Sequence, residues 1–181
     1  EQLAERLLGA VCRAGGFDEV ITYSFYSPAG WDMIRLPADS PLRDAIRILN
    51  PLGEDTSCMR TTMLPSMLEV LARNWNYRNK NVRLYDFGRI YKKRADGLAD
   101  EPKQLTLGAY GEDMDFYAMK GAVEAILEAL RIEGAEYRAV TDNPSYHPGR
   151  CAELAVNGRR LGVFGQVHPL VAKNYGVADE L

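Results

Sequence analysis

The sequence predicts an α+β domain in which an antiparallel sheet is flanked by helices, with about seven strands and four helices. The clearest hairpin lies in the last third, where Asn157-Gly158 separates strand-like residues 152–156 and 160–166. This dipeptide supplies the two positive-φ positions that a type I′ turn requires. An apolar stripe at helical spacing covers residues 116–130, and a shorter helix is predicted over 169–175, ending at Gly176. Strands and helices do not alternate strictly, which disfavours a parallel βαβ sheet.

The first quarter of the chain predicts one helix and two strands. Apolar residues at helical spacing over 3–11 predict a helix that Gly15-Gly16 ends. The β-branched and aromatic run 20–25 predicts a strand, and 46–49 predicts a shorter one. Residues 27–40 contain Pro28, Gly30 and Pro37 and predict a loop.

The middle of the chain predicts a helix followed by its longest strand. A helix begins near Leu64, and Pro65 suits its first turn, where the missing N–H has no helical partner. Its apolar face runs from Met67 to Trp75. Residues 82–93 predict a strand, in which Gly88 suggests a bulge or a close approach by another backbone.

The region after this strand predicts an exposed loop, two strands and the helix between them. Residues 94–103 are polar and predict the loop, and 104–109 predict a strand. Asp115 is positioned to cap the next helix, which Gly134 is expected to end. Residues 136–140 predict a further strand.

Composition limits the class of protein. The 181 residues suffice for one sizeable domain covering 1–181, and 46% hydrophobic with 26% charged residues is ordinary globular usage. The net charge of −3 argues against a domain dedicated to nucleic acid, although a local contact stays open. Because the chain opens inside a helical pattern and ends shortly after a helix stop, we expect it to be an excised fragment of a longer protein.

The cysteine and histidine content points to the cytoplasm and away from a metal enzyme. Cys12, Cys58 and Cys151 are far apart and odd in number, which suits free thiols in a reducing cytosol. The two histidines, His147 and His168, cannot build a histidine-rich metal site. No apolar run is long enough to cross a bilayer, so no membrane association is expected.

Three motifs stand out, and each has an ordinary structural interpretation when taken alone. Asn50-Pro51-Leu52, followed by residues 59–65, reads as a turn, a short strand and a helix start. Residues 84–91 read as a buried strand with a glycine irregularity. His147-Pro148-Gly149-Arg150 reads as a Pro-Gly loop with a structural histidine.

Taken together and in this order, the motifs resemble the beta subunits of bacterial phenylalanyl-tRNA synthetases. Further matches are Asp115-Phe116-Tyr117 with Lys120-Gly121, Asn157-Gly158, Gly162 to Gly165, and His168-Pro169. The resemblance extends from about Glu19 to Gly176. The positions that carry it, or that we expect at a subunit interface, are Asn50, Pro51, Met59, Arg60, Met63, Leu64, Pro65, Asn74, Gly88, His147, Pro148 and Gly149.

The resemblance implies a degenerate copy of a class II aminoacyl-tRNA synthetase catalytic domain. In that family the alpha subunit uses ATP and Mg²⁺ to form phenylalanyl-adenylate and charges tRNA(Phe), while the beta copy supports it in an assembly of two alpha and two beta chains. No catalytic, cofactor-binding or metal residue is therefore expected in this fragment. We expect residues 50–74 to meet the alpha subunit, with Met59, Met63 and Met67 as adaptable apolar surface. The alternative is that these methionines fill the core of the domain itself.

The residues at the expected catalytic positions agree with a degenerate copy. An active class II site needs an arginine to grip the ATP α-phosphate and, two residues later, a glutamate that accepts a hydrogen bond. Lys92 falls at the arginine position and cannot make the planar fork. Arg94 falls at the glutamate position and accepts no hydrogen bonds. The third class II motif would lie beyond Gly176, and Gly162 and Gly165 are expected to allow close packing.

Two other functions stay open. A small autonomous adenylate-forming enzyme would need the arginine and the glutamate that are replaced. A nucleic-acid (tRNA) contacting module would use cations interleaved with aromatic residues. The residues concerned are Arg73, Arg78, Lys80, Arg83, Arg89, Lys92, Lys93 and Arg94, with Trp75, Tyr77 and Tyr91.

Two acidic pairs and one cysteine complete the candidates. Glu54 with Asp55, and Asp113 with Asp115, could hold Mg²⁺, although a solvated loop and a helix cap are the commoner roles. Cys151 follows a positive charge at Arg150, and we interpret it as a small core residue.

Overall fold

A computed structural model of the chain describes residues 2–177. The described residues form five α-helices: α1 Gln2–Ala14, α2 Ala29–Met33, α3 Leu64–Asn76, α4 Phe116–Ala129 and α5 Pro169–Asn174. They also form ten strands: β1 Asp18–Glu19, β2 Phe25–Tyr26, β3 Cys58–Met59, β4 Val82–Arg89, β5 Lys92–Lys93, β6 Ala99–Asp100, β7 Lys103–Tyr110, β8 Ala135–Ala139, β9 Tyr146–Val156 and β10 Arg159–Val167. Short 3₁₀ turns cover Pro41–Arg43 and Glu54–Thr56.

The strands form two three-stranded sheets and two small ribbons. In the first sheet the order is β1-β4-β7, and β4 pairs with β7 antiparallel in unbroken register from Val82↔Tyr110 to Arg89↔Lys103. The second sheet has the antiparallel order β10-β9-β8. Ribbons β2-β3 and β5-β6 are also antiparallel, whereas the short β1 runs parallel to β4. The α+β prediction with antiparallel pairing and flanking helices is confirmed.

Helices cover both faces of the first sheet. Leu84 points to α3 and packs with Leu68 and Leu71 in the larger core cluster. Its strand neighbour Tyr85 points to the opposite face and packs with Cys12 of α1. Because successive side chains on a strand alternate between faces, β4 is buried on both sides.

Helix α4 joins the two sheets on one side of the domain. Its start is fixed by Asp115, whose carboxylate accepts the Ala118 N–H at 2.7 Å. Ile126 packs over the first sheet, while Phe116 stacks on Phe164 of β10 with ring centroids 5.3 Å apart. The cap that the sequence predicts therefore also determines where the second sheet sits.

Most elements with strong local signals are confirmed. The hairpin β9-β10 turns at Asn157 and Gly158, whose φ angles are 50° and 74°. Gly16 and Gly176 adopt positive φ just after α1 and α5, as expected of residues that end a helix.

The segment 20–49 is where the sequence-based predictions are most in error. Of the strand predicted over 20–25, only Phe25 lies in a strand, because the Thr22 amide and hydroxyl bond to Asp86. The loop predicted over 27–40 contains α2. The strand predicted over 46–49 is reduced to an isolated antiparallel bridge between Arg47 and Cys58.

Four later predictions also need correction. The strand predicted over 82–93 is interrupted after Arg89, and the loop that follows is partly the β5-β6 ribbon. Gly88 does not form a bulge, because it pairs in register with Gln104. Helix α4 ends at Ala129 rather than near Gly134, since Arg131 takes a left-handed φ of 55° and turns the chain first.

Helix α5 gives a prediction about pH. The His168 ring Nδ1 accepts the Leu170 N–H at 3.1 Å, so the capping ring must be neutral. Burial, and then the charges of Arg35 and His147, lower the pKa of His168 from its ordinary 6.5. When a base binds its proton more weakly in the folded chain than in the unfolded one, the folded state loses stability as pH falls through the pKa of the unfolded chain. We therefore expect the free energy of unfolding in urea to fall as pH drops from about 7.5 to 5.5.

The matched variant is His168→Asn, because asparagine also caps helices but does not titrate. Its free energy of unfolding should depend less on pH than that of the parent chain. Equal losses in the two proteins over this pH range would show that His168 does not contribute.

Candidate functional site

A buried ion pair lies where the first two sequence motifs meet. The side chains of Arg60 and Asp86 are 2% and 5% exposed, and Arg60 Nη1 stands 3.7 Å from Asp86 Oδ2. The same Nη1 donates to the Thr22 hydroxyl at 2.6 Å and to the Tyr23 carbonyl at 3.1 Å, and Nε donates to the Arg89 carbonyl at 2.7 Å. Arg60 thus connects segments that lie far apart in the sequence.

The acidic partner is satisfied by the same segment. The Thr22 hydroxyl and amide both donate to Asp86 Oδ2. Burial lowers the pKa of Arg60 from its ordinary value, and the Asp86 charge opposes this shift. Both members of the pair are hydrogen-bonded by neighbouring groups, which is the condition under which a buried charge is tolerated.

Gly88 is required by the position of the arginine. A Cβ added at Gly88 would stand 2.0 Å from Arg60 Nη2 and 2.9 Å from Met63 Cε. The close approach predicted at Gly88 is therefore made by side chains, not by another backbone. Three of the predicted motif residues, Arg60, Met63 and Gly88, are brought together here.

The predicted interface residues 50–74 divide into an exposed and a buried part. Asn50 and Pro51 are exposed, Met59 and Leu64 are half-buried, and Pro65 is buried. Met63 and Met67 are each only 2% exposed, so for these two the alternative of a core role holds. Neither methionine is available to a partner while the domain is folded.

The remaining motif residues have local structural roles. Asn74 donates to the Val70 carbonyl at 3.0 Å and accepts from the Asn79 amide at 2.7 Å, which closes α3. His147 Nδ1 accepts the Gly149 N–H at 3.1 Å, next to the exposed Pro148. The Pro-Gly loop predicted over 147–150 instead lies within β9 of the second sheet, where the register with β10 shifts. It is apart from the first-sheet residues that bond to Arg60.

A set of exposed apolar side chains lies on segments 21–23 and 49–52, which precede β2 and β3 in the chain. We call it the loop patch, and its members are Ile21, Tyr23, Leu49 and Leu52, with exposures of 92%, 77%, 95% and 93%. The backbone on both sides is held in place, because Tyr23 O accepts from Arg60 and Ile48 N donates to Ser57 O at 2.9 Å. Solvent-exposed apolar side chains on ordered backbone are typical of a contact surface.

A second apolar surface runs along α1. We call it the α1 seam: Leu3, Leu7, Ala10 and Ala14, spaced alternately four and three residues apart and all exposed. Leu3 is 81% exposed, whereas the buried residues of this helix are Gly9 and Cys12. The spacing is that of a helix that packs against another helix.

The α1 seam borders a cavity of about 300 Å³ between α1 and α4. Its walls are mostly apolar and include Val11, Ala14, Ala122, Ala125 and Ile126. The sequence showed the apolar spacing of α1, but no sequence signal distinguished a core-facing stripe from a solvent-facing one.

The residues at the expected catalytic positions lie on the exposed β5-β6 ribbon. Lys92 is exposed. Arg94 Nη2 contacts Asp96 Oδ2 at 2.7 Å, and Lys93 Nζ contacts Asp44 Oδ1 at 2.5 Å. Arg94 is therefore paired with a carboxylate in its own turn.

The other chemical candidates take structural positions. A Cβ at Gly165 would stand 2.3 Å from the Arg150 carbonyl oxygen, as expected for close packing. A Cβ at Gly162 would meet no atom within 4 Å, so the close packing predicted there is not found. Burial raises the pKa of the Cys151 thiol to about 11, which suits a core residue. Among residues 2–177, no group of three or more His, Cys, Asp or Glu side chains could hold a metal ion. Within that same range no helix is long and apolar enough to span a membrane.

Comparison with known proteins places the chain among aminoacyl-tRNA synthetase components. The sequence profile of the family described as "Phenylalanyl tRNA synthetase beta chain CLM domain" matches residues 1–181. The phenylalanine–tRNA ligase beta subunit of Clostridium tetani is 40% identical over 182 residues, covering 99% of this chain and 22% of that protein. The corresponding subunit of Geobacter sulfurreducens is 37% identical, covering 90% of this chain and 22% of the relative. The chain spans about a fifth of the length of the curated relatives it matches.

Solved structures show the same fold. The pyrrolysyl-tRNA synthetase of Desulfitobacterium hafniense superimposes with a TM-score of 0.75 at 15% identity, covering 97% of this chain and 62% of that one. At this identity the likeness establishes the class II synthetase fold alone.

The packing of Arg60 against Gly88 can be tested by adding a single methyl group. Gly88→Ala forces the pinned guanidinium and Met63 to move, and we expect a loss of about 1–3 kcal/mol in the free energy of unfolding. The control is Gly121→Ala in α4, where nothing lies within 4 Å of the added Cβ. There alanine should stabilise the helix by roughly 0.5–1 kcal/mol.

Urea unfolding of both variants measures the two changes. Equal stability of Gly88→Ala and the parent chain would contradict the position assigned to the Arg60 side chain.

Proposed function

Because the chain belongs to the phenylalanyl-tRNA synthetase beta chain family, we propose that it is the synthetase-like core domain of a phenylalanine–tRNA ligase beta subunit. It supports the alpha subunit during ATP-dependent attachment of phenylalanine to tRNA(Phe) and carries out no chemistry itself. The working enzyme is a cytoplasmic assembly of two alpha and two beta chains, and ATP and Mg²⁺ act on the alpha subunits.

The observation that carries this proposal is the exposed apolar surface formed by the loop patch and the α1 seam. Leu3, Leu49 and Leu52 are each more than 80% exposed, although the backbone that presents them is regular or hydrogen-bonded. Fully burying one such leucine contributes roughly 1.5–3 kcal/mol. A domain that presents several of them gains stability by covering them with a partner, which fits a supporting role in a larger enzyme.

The charges at the former catalytic positions support the same conclusion. An arginine that binds phosphate presents its planar guanidinium to the ligand, and Lys92 has no guanidinium. Arg94 is a donor where an acceptor is required, and it is already paired with Asp96. If this chain were an autonomous adenylate-forming enzyme, it would lack both contacts with ATP.

The contact with the alpha subunit can be tested by co-purification. The chain is co-expressed with a tagged alpha subunit from the same organism, as the parent or as Leu49→Glu/Leu52→Glu. If the alpha subunit covers Leu49 and Leu52, a charge at each position should remove about 3–6 kcal/mol of association free energy, so that little of the variant is retained. A second pair, Leu3→Glu/Leu7→Glu, tests the α1 seam in the same way.

The matched control is Leu161→Glu/Leu170→Glu, since these leucines are 49% and 50% exposed on β10 and α5. The control should be retained like the parent chain. Retention of both patch variants together with loss of the control would place the interface elsewhere on the domain.

Absence of chemistry is tested by pyrophosphate exchange. The purified chain, supplied with phenylalanine, ATP and Mg²⁺, should give no exchange above a mock preparation, because Lys92 and Arg94 cannot replace the arginine and the glutamate. The reconstituted alpha and beta assembly is the positive control. Exchange by the chain alone, lost in a Lys92→Ala variant, would overturn the non-catalytic assignment.

A further inference from the structure

A groove of about 580 Å³ lies between the ends of α2, α3 and α5, remote in sequence from the loop patch and the α1 seam. We call it the α3–α5 groove. Met33, Ala72 and Tyr175 provide its apolar lining. Its polar lining consists of Glu69, Arg73, Asn76, Tyr77 and Asn174. This volume is in the range of small-molecule and nucleotide sites.

One cation, Arg73, lines this groove and acts on the charge of Glu69, and three others lie near groove residues in the sequence. Arg73 lines it, Arg78 follows the groove residue Tyr77, and Lys173 precedes the groove residue Asn174. With Lys80 they form a set of four exposed cations, and none makes an ion pair within residues 2–177. By contrast, Lys93 and Arg94 of the second basic cluster predicted from the sequence are paired with carboxylates.

The groove also carries an exposed aromatic ring. Tyr77 is 76% exposed, whereas its neighbour Trp75 packs edge-on against Tyr110 with centroids 5.4 Å apart. Of the aromatic residues interleaved with the cations of α3, Tyr77 is thus the one whose ring is presented to solvent. Exposed aromatic rings beside unpaired cations are the combination on which single-stranded nucleic acids bind.

We propose that the α3–α5 groove binds RNA, with an unpaired base stacked on Tyr77 and phosphates held by Arg73, Arg78, Lys80 and Lys173. The proposal deepens the proposed function, on which it rests, by giving this domain a direct contact with RNA. Asn76 supplies an amide group that can hydrogen-bond a base edge, whereas the Asn174 amide nitrogen already donates to the Met33 carbonyl at 2.8 Å.

The position of Glu69 limits how RNA can lie in the groove. Glu69 lines the groove and is exposed, and its carboxylate repels phosphate, so we place the phosphates away from it, beside the cations. Burial raises the pKa of Glu69, and the Arg73 charge opposes the shift. As an acceptor, the carboxylate suits a base amino group or a ribose hydroxyl.

The test is fluorescence anisotropy of the 181-residue chain with two probes, an unmodified tRNA(Phe) transcript and a single-stranded RNA of about 12 nucleotides. Binding is measured between about 50 and 200 mM salt, because phosphate contacts make affinity fall with salt. Arg78→Glu/Lys80→Glu should lower affinity and reduce the slope of log affinity against log salt by about 0.7 for each lost contact. Tyr77→Ala should weaken binding about five- to 150-fold with little change in that slope.

Each variant has a matched control elsewhere on the chain. Lys92→Glu/Arg94→Glu makes the same change in net charge on the β5-β6 ribbon, and Tyr117→Ala removes a tyrosine that is 75% exposed on α4. Both controls should bind RNA like the parent chain. Far-UV circular dichroism checks that every variant is folded.

The outcomes separate this proposal from the proposed function. Loss of RNA binding in the groove variants, with unchanged co-purification with the alpha subunit, supports the groove. Equal losses in groove and control variants, or no salt-dependent binding by the parent chain at 50 mM salt, would overturn it, whereas failure of co-purification alone affects only the supporting role.

Discussion

The structure depends on one buried contact, the pairing of Arg60 with Asp86. Through it the arginine joins residues 22–23 to the middle and the end of β4. Replacing a buried pair by apolar side chains is often neutral or stabilising, so the pair contributes geometry more than free energy. The pair fixes the path of the chain at residues 22–23 of the loop patch, because Arg60 donates to the Tyr23 carbonyl.

This constraint explains where the sequence was a good guide and where it was not. Helices α3 and α4 and the Asn157-Gly158 hairpin follow from local rules, namely a proline in a first turn, an aspartate cap and two positive-φ residues. The strand predicted over 20–25 failed because Thr22 is bonded to a carboxylate 64 residues away, which no local pattern reveals. Similarly, the sequence predicted that Met63 is part of an adaptable apolar surface, and only the three-dimensional packing shows that it is buried beside Gly88.

The candidate site was accessible from the sequence only in part. Resemblance to the beta chains identified the motif residues and the altered positions Lys92 and Arg94, and the family to which it points is confirmed. It did not separate buried motif residues from exposed ones, because motifs record identity and not orientation. The motif residues Arg60 and Gly88 hold the frame, while the leucines on either side of Asn50, which attracted no separate notice, form the exposed surface. The packing of Arg60 against Gly88 thus gives these two motif residues a structural role.

Helix α1 is attached to the domain by few large side chains. It presents Gly9 and Cys12 to the core, and Val11 lines the cavity that it shares with α4. It also makes the Arg13–Tyr85–Glu19 hydrogen bonds and the pair of Glu5 with Lys103. An element held in this way opens by local unfolding at a lower free energy than the sheet it covers. A partner that covers the α1 seam would therefore protect the amide hydrogens of α1 from exchange and delay its proteolysis.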